Sequence, residues 1–365
     1  MIYLDHGATS FRKPPAVMAA VARAMRTCAN PGRGGYPAAM TAAEQVYCCR
    51  EMAGKLFDCQ PEQVVLTANC THGLNIAIHT LVEPGDRVVI SGFEHNAVTR
   101  PLYALSAQVL VAGRRLFDPA DTLFQWEKAL QTGPKAAVFT HVSNVFGYIL
   151  PVEEMAALCR KYGVPFVVDA AQSAGMLPLS LQALEADFIA MPGHKGLLGP
   201  QGTGLLLCGR LPKPLLCGGT GSNSLEAKMP DFLPDRAEAG TLNVPGIAGL
   251  TEGMRYVNCV GVDQILLRQQ RQASYCAQQL RQLGFTVFAG KSQSGTLSFL
   301  PGMDCQEAAQ KLAQAGIAVR AGLHCAPLAH ESAGTLDTGT VRLSFGHDAN
   351  EGQSRAFLRA AKKLR

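Results

Sequence analysis

No run of this sequence stays apolar for the roughly twenty residues that a membrane-spanning helix requires. The first residues, Met1-Ile2-Tyr3-Leu4-Asp5-His6, lack the basic and apolar regions of a secretory signal and lead into a short strand-like run with an acid. Charge is scarce at 17%, its excess is a mild +5, and beyond the short tail Lys362-Lys363-Leu364-Arg365 no basic block stands out. These absences argue against a membrane or nucleic-acid partner and make a cytoplasmic location the expectation. With 47% apolar residues over 365 positions, the chain can instead bury a sizeable core and form two domains.

Other patterns are missing too. The twelve cysteines include no CxxC pair, which argues against a zinc site and, without an export signal, for reduced thiols used as small apolar fillers, the vicinal Cys48-Cys49 included. No Walker A spacing and no G-x-G-x-x-G occurs, so a phosphate held here has no nucleotide signature behind it. Internal repeats and low-complexity segments are also lacking.

What is present is an alternation of short apolar strands and helical stretches. Helical periodicity covers Pro14 to about Cys28 and Ala38 to about Phe57, on either side of the Gly/Pro-rich loop Asn30 to Pro37. Val64-Thr67, Arg87-Ile90, Val109-Val111, Ala136-Phe139 and Phe166-Val168 then read as strands, separated by helices such as Leu74-Leu81, Thr122-Leu130 and Val152-Tyr162. This is the signature of a mainly parallel sheet covered on both faces, whose ligands sit at the carboxyl ends of the strands. From Gly209 to about Pro245 the texture is irregular, and beyond it comes an α+β unit. The spacing predicts a large domain over 14–247 and a smaller one over 248–365 joined by the N-terminal segment 1–13.

The chemistry is concentrated after strands. Gly193-His194-Lys195-Gly196 follows the apolar run Phe188-Met191 and precedes another, Gly204-Leu207, and a lysine held in so dry a place becomes a nucleophilic amine. Phe166-Val167-Val168-Asp169 delivers a carboxylate to the same edge. A lysine for an aldehyde and an acid for a pyridinium nitrogen are what pyridoxal phosphate asks for. Asn69-Cys70-Thr71-His72 opens a helix and offers N–H groups and a hydroxyl to a phosphate, although Thr71 could equally be a plain cap. His95 and Asn144 follow two further strands; His95 could stack on a flat ring or move protons, or be an ordinary surface residue. Cys325, set between His324 and Ala326-Pro327, has Arg320 and His324 as neighbours that could favour its thiolate. Arg342 lies alone in the apolar strand Gly339-Ser344, suited either to a substrate carboxylate or to a structural ion pair.

Taken in order, Tyr3-Leu4-Asp5-His6-Gly7-Ala8-Thr9, Glu94-His95, Val142-Ser143-Asn144-Val145, Asp169-Ala170-Ala171-Gln172, Gly193-His194-Lys195, Glu238-Ala239-Gly240-Thr241 and Arg320 to Pro327 resemble the cysteine desulfurase family, on the class V aminotransferase branch of fold type I pyridoxal phosphate enzymes. The resemblance runs nearly end to end. It implies an α/β fold, with a seven-stranded sheet in the large domain, and pyridoxal 5'-phosphate on Lys195. It further implies Asp169 at the ring nitrogen, Gln172 at the phenolic oxygen, His95 stacked on the ring, and Thr71 and His194 at the phosphate. Gly240 and Thr241 would reach that phosphate from the second subunit of a homodimer. Asn144 and Arg342, with Arg320 close by, would receive the amino acid. Cys325 would take sulfur from L-cysteine as a persulfide, releasing L-alanine, for hand-off from a mobile loop to a protein acceptor. A selenocysteine lyase or a cysteine sulfinate desulfinase would share these residues, and a non-catalytic protein on the same scaffold is the remoter alternative. Two positions depart from the pattern: Pro192 and Cys70 stand where hydroxyl residues are common, removing possible phosphate donors.

Overall fold

The computed structural model describes residues 1–32 and 34–364. Arg33 of the Gly/Pro-rich loop and Arg365 of the basic tail lie outside them. The chain starts with β1 (Ile2–Tyr3), α1 (Pro15–Thr27) and α2 (Pro37–Phe57). There follow β2 (Val64–Thr67), α3 (Cys70–Leu81), β3 (Arg87–Ser91), α4 (Asn96–Ala104), β4 (Gln108–Ala112), α5 (Pro119–Leu130), β5 (Ala136–Thr140) and α6 (Val152–Lys161). Next come β6 (Phe166–Asp169), α7 (Leu181–Leu184), β7 (Phe188–Pro192) and β8 (Gly204–Cys208), then α8 (Val244–Val260) and α9 (Val262–Gln282). The last part holds β9 (Thr286–Phe288), β10 (Thr296–Leu300), α10 (Cys305–Gln314), β11 (Ile317–Ala318), β12 (Arg320–Gly322), α11 (Pro327–Ala333), β13 (Thr340–Ser344) and α12 (Glu351–Ala361).

Seven strands, the number expected, form one sheet in the order β2-β8-β7-β6-β5-β3-β4. Only β8 runs against the others, being antiparallel to both β2 and β7. The continuous apolar runs of β5 to β8 are explained by their position: every residue in them is buried, because helices cover both faces of the sheet. The strand order breaks direction of progress between β3 and β5, with β4 outside, and the loops at the carboxyl ends of β3, β5, β6 and β7 all open toward one crevice.

A second, antiparallel sheet in the order β12-β13-β10-β9 builds its own core from Phe299, Val341, Leu343, Phe357 and Leu280. The N-terminal segment joins this unit, since β1 pairs with β11 and Leu4 is buried in the same cluster. The change of unit expected at residue 248 falls inside the uninterrupted helix α8. Ile247, Leu250 and Met254 on that helix pack into the core of the large sheet with Leu197 and Phe57. On packing grounds we propose Gly261, between α8 and α9, as the division, because Val244, Ile247, Leu250 and Met254 of α8 all pack into the core of the large sheet.

One buried ion pair fixes the segment leading to Gly240. Arg50 on α2 meets Glu238 through two parallel bonds of 2.9 and 2.6 Å, and Glu238 also accepts the Leu66 N–H at 2.5 Å. Removing one partner leaves an uncompensated buried charge, so Glu238→Ala is expected to cost about 3–5 kcal/mol. The double change Arg50→Met with Glu238→Leu should recover most of that loss in thermal denaturation. Equal destabilisation by the single and double changes would refute this account.

Candidate active site

A cavity of about 240 Å³ opens at the carboxyl ends of the strands, between the two units. Every site residue predicted from sequence except Gly240 and Thr241 lines it. Lys195 follows β7 by three residues, in the turn between β7 and β8. Gly193 keeps that turn tight: a Cβ there would stand 2.2 Å from the Thr203 hydroxyl oxygen, so no other residue fits without a shift. Burial pushes the Lys195 amine below its ordinary pKa, with opposing contributions from the nearby Cys70 and Asp169, and its Nζ has no hydrogen-bond partner among the described residues. An amine in this state is free to react.

Asp169 ends β6 and is 2% exposed. Its Oδ1 accepts the Ala171 N–H at 2.9 Å and the Cys70 thiol at 3.5 Å, while Oδ2 has no donor among the described residues. Burial raises its pKa, which makes it ready to share a proton with a ring nitrogen. Gln172, in the next turn, donates to the Gly7 carbonyl at 2.9 Å and so locks the N-terminal segment to this wall.

His95 caps α4, its Nδ1 accepting the Ala97 N–H at 3.0 Å. Burial and the nearby Lys195 push its pKa down to about 4. The imidazole is therefore neutral, and with Nδ1 occupied as acceptor its proton sits on Nε2. His194 is likewise pushed down to about 4, and its Nδ1 faces the Thr9 hydroxyl at 3.0 Å. Its carbonyl gathers Ser10, Thr9 and Lys13. Lys13, which the sequence pattern did not single out, is lowered to about 8 by burial at this spot.

At the start of α3 the cap is Asn69, whose side chain accepts the His72 N–H at 2.9 Å. This corrects the reading of Thr71 as a possible cap. Its hydroxyl makes no hydrogen bond among the described residues, and it lines the cavity beside Cys70 and Pro192. Pro192 closes β7 and supplies neither a hydroxyl nor an N–H there.

Arg342, 1% exposed in β13, is bound in the protein as well as exposed to the cavity: it donates to Asp5 at 2.5 Å and to the Asn144 carbonyl at 2.9 Å, leaving Nε unpaired. Asp5 is the functional neighbour that sequence reasoning missed, because 337 residues separate the pair. Arg320 stands directly opposite Arg342 across the β12–β13 ladder. Like charges so paired repel, and an anion between them relieves the repulsion. The Asn144 amide donates to the His324 carbonyl at 2.8 Å, while its buried Oδ1 finds no donor among the described residues.

Cys325 is exposed in a four-residue connection between β12 and α11. Both His324 and Cys325 adopt left-handed backbone, φ 51° and 58°, which non-glycine residues hold only when neighbours impose it. The imposing contacts are visible: the Cys325 carbonyl accepts the Asn96 N–H at 2.8 Å, and the His324 ring meets the Thr340 carbonyl at 3.2 Å. The connection is short, and these two contacts tie it at His324 and Cys325. His324 also disappoints as a charged neighbour. Burial pushes it down to about 2, so the imidazolium proposed to favour a thiolate is not there.

Gly240 and Thr241 lie at the surface, outside this cavity, in a neighbouring hollow with His72 and Asn243 for Thr241. The groups that line the cavity, an unpaired lysine, an acid with one free oxygen, a neutral imidazole and a helix start with a free hydroxyl, fit a planar phosphorylated aldehyde.

A mainly parallel α/β sheet with a lysine and an acid at adjacent strand ends, plus an antiparallel C-terminal unit, defines a fold type I enzyme. A sequence model of the aminotransferase class-V family matches residues 2–356, and the chain belongs to that family. A probable cysteine desulfurase of Methanothermobacter thermautotrophicus is 32% identical over 362 residues, covering 94% of this chain and 90% of its own. A cysteine desulfurase of Escherichia coli is 31% identical, over 89% of this chain and 84% of that one. Among solved structures, the apo cysteine desulfurase of Thermococcus onnurineus has a TM-score of 0.90 at 30% identity, covering 100% of this chain and 94% of that one.

Proposed function

We propose that this enzyme is a pyridoxal phosphate-dependent cysteine desulfurase, converting L-cysteine to L-alanine while its sulfur passes to Cys325 as a persulfide. The observation that carries the reading is that Lys195, Asp169 and Cys325 line one cavity in a chain whose relatives bear that activity in their names. The reaction balances as substrate thiol plus Cys325 thiol giving alanine plus Cys325 persulfide: the carbon–sulfur bond breaks, a sulfur–sulfur bond forms, and the β-carbon gains a proton.

Lys195 would hold the cofactor covalently, Asp169 Oδ2 would face its ring nitrogen, His95 its ring face, Gln172 its phenolic oxygen, and Thr71 with His194 its phosphate. When bound, the cofactor supplies an electron sink for the bonds at the substrate α-carbon. Lys195 would take the α-proton; its lowered pKa suits it to that work near neutral pH. Arg342 and Arg320 bind the substrate carboxylate between them, and the unpaired Asn144 Oδ1 suits a donor on the amino acid. Cys325 then attacks the sulfur from the open side of the cavity.

A homodimer fits two features. Gly240 and Thr241 stand outside their own chain's cavity, and Phe11, Met18, Met25, Tyr36, Met40 and Tyr47 expose apolar surface on α1, α2 and the segments before them. The protein acceptor of the sulfur would approach the exposed Cys325.

The test is Cys325→Ala assayed on two substrates. Alanine release from L-cysteine should fall on the order of 10³-fold, while release from L-selenocysteine stays within about tenfold, since a selenium leaving group does not need the thiol. Alanine release from cysteine that survives the change unaltered would refute sulfur transfer through Cys325.

A further inference from the structure

The two oxygens of Asp169 are treated differently by the protein. Oδ1 receives two donors, the Ala171 N–H at 2.9 Å and the Cys70 S–H at 3.5 Å, whereas Oδ2 receives none among the described residues. Cys70 is the first residue of α3, buried, and lines the same cavity as Lys195. The direction of the sulfur contact is settled by charge: burial and the adjacent Asp169 push the thiol well above its ordinary pKa, so it keeps its proton and donates. Cys70 is buried, whereas Cys325 is the exposed thiol of the same cavity.

We propose that Cys70 is a positioning residue for Asp169, its thiol and the Ala171 N–H together pinning Oδ1 so that Oδ2 is presented to the ring nitrogen of bound pyridoxal phosphate. The inference rests on the cofactor reading above. A carboxylate held by Ala171 alone could pivot about that single bond; the second donor, arriving from a different element, removes the rotation. The start of α3 then serves both ends of the cofactor, Cys70 through Asp169 at the ring nitrogen and Thr71 at the phosphate. The departure at position 70, which costs the phosphate a hydroxyl, thus has a use. A thiol is a weaker donor than a hydroxyl, so it orients the carboxylate while drawing down its proton affinity less.

The experiment compares wild type, Cys70→Ser and Cys70→Ala. Apo-proteins are titrated with pyridoxal phosphate by equilibrium dialysis, and the visible absorbance of the loaded proteins is followed against pH. We expect Cys70→Ala to weaken binding about fivefold and to move the pH at which the absorbance changes. Cys70→Ser, which keeps a donor in place, should bind within about twofold of wild type with a smaller displacement of that pH. Melting temperatures of the three apo-proteins should agree within about 3 °C, separating orientation from stability. Equal affinity and pH profile for wild type and Cys70→Ala would overturn the inference alone, as would a serine variant no better than alanine. A wild type that takes up no pyridoxal phosphate would overturn this inference and the cofactor reading together.

Discussion

Replacing Lys195 by alanine is expected to end alanine release from L-cysteine, with a loss on the order of 10⁴-fold or more. Under the proposed function two separate tasks would fall on this one amine, covalent retention of the cofactor and movement of the α-proton, and among the described residues no other lysine lines the cavity to take them over. Lys195→Arg should be as inactive as alanine. The guanidinium keeps the charge that acts on His95 and Asp169 but is neither nucleophilic nor basic at neutral pH, so the pair of variants separates the amine's chemistry from its field. Borohydride treatment of the wild type, followed by peptide mapping, should find the label on Lys195 and nowhere else. A label on another residue, or activity of Lys195→Ala within tenfold of wild type, would refute the assignment.

Acid is expected to unfold this protein unusually early. His141, His324 and His330 are buried, and burial pushes them down to about 4, 2 and 4. In the unfolded chain each takes up a proton near pH 6.5, so the stability they contribute is present above that value and lost as pH falls toward the folded-state pKa. Glu94 acts in the opposite sense: buried between Ser91 and the Thr140 N–H, it is pushed up to about 8 and stays protonated in the fold where the unfolded chain would ionise it. Three histidines against one carboxyl leave a net uptake of two protons on unfolding between pH 5.5 and 4.5, or about 3 kcal/mol lost per pH unit. The less buried His6, His95 and His194 add to the loss, and Asp169 and Glu238, raised by burial, add to the offset. Urea denaturation from pH 7 to 4.5 measures the slope. His330→Gln, whatever it does at pH 7, should lower that slope by about 1.4 kcal/mol per unit; a flat profile between pH 6.5 and 5 would contradict the argument.

The lysine and the acid could be read from the chain because their position at the ends of apolar strands is a local pattern, and a parallel sheet turns that pattern into a shared crevice. Thr71 and His95 were placed correctly at strand exits for the same reason. What local pattern cannot carry is the company a side chain keeps. Arg342 looked equally suited to a substrate or to an ion pair, and it meets Asp5 only because β1 closes onto the C-terminal unit. His324 looked like a source of positive charge for Cys325 until its burial behind Thr340 showed it uncharged. The start of α3 was legible, yet the choice of Asn69 over Thr71 as its cap depends on backbone angles that composition does not encode. The division proposed at Gly261 differs from the one expected at 248 because it rests on the packing of α8 with Leu197 and Phe57, which the local sequence pattern does not carry.

The hydrogen bond from Asn96 to the Cys325 carbonyl joins two parts usually considered separately. Asn96 is the first residue of α4 and His95 is its cap, so the Cys325 turn is tied to the same corner that carries the His95 imidazole. Drawing the Cys325 backbone outward would break this bond and release two residues from left-handed backbone. On the proposed function, a displacement of the Cys325 turn would therefore be transmitted to the His95 corner.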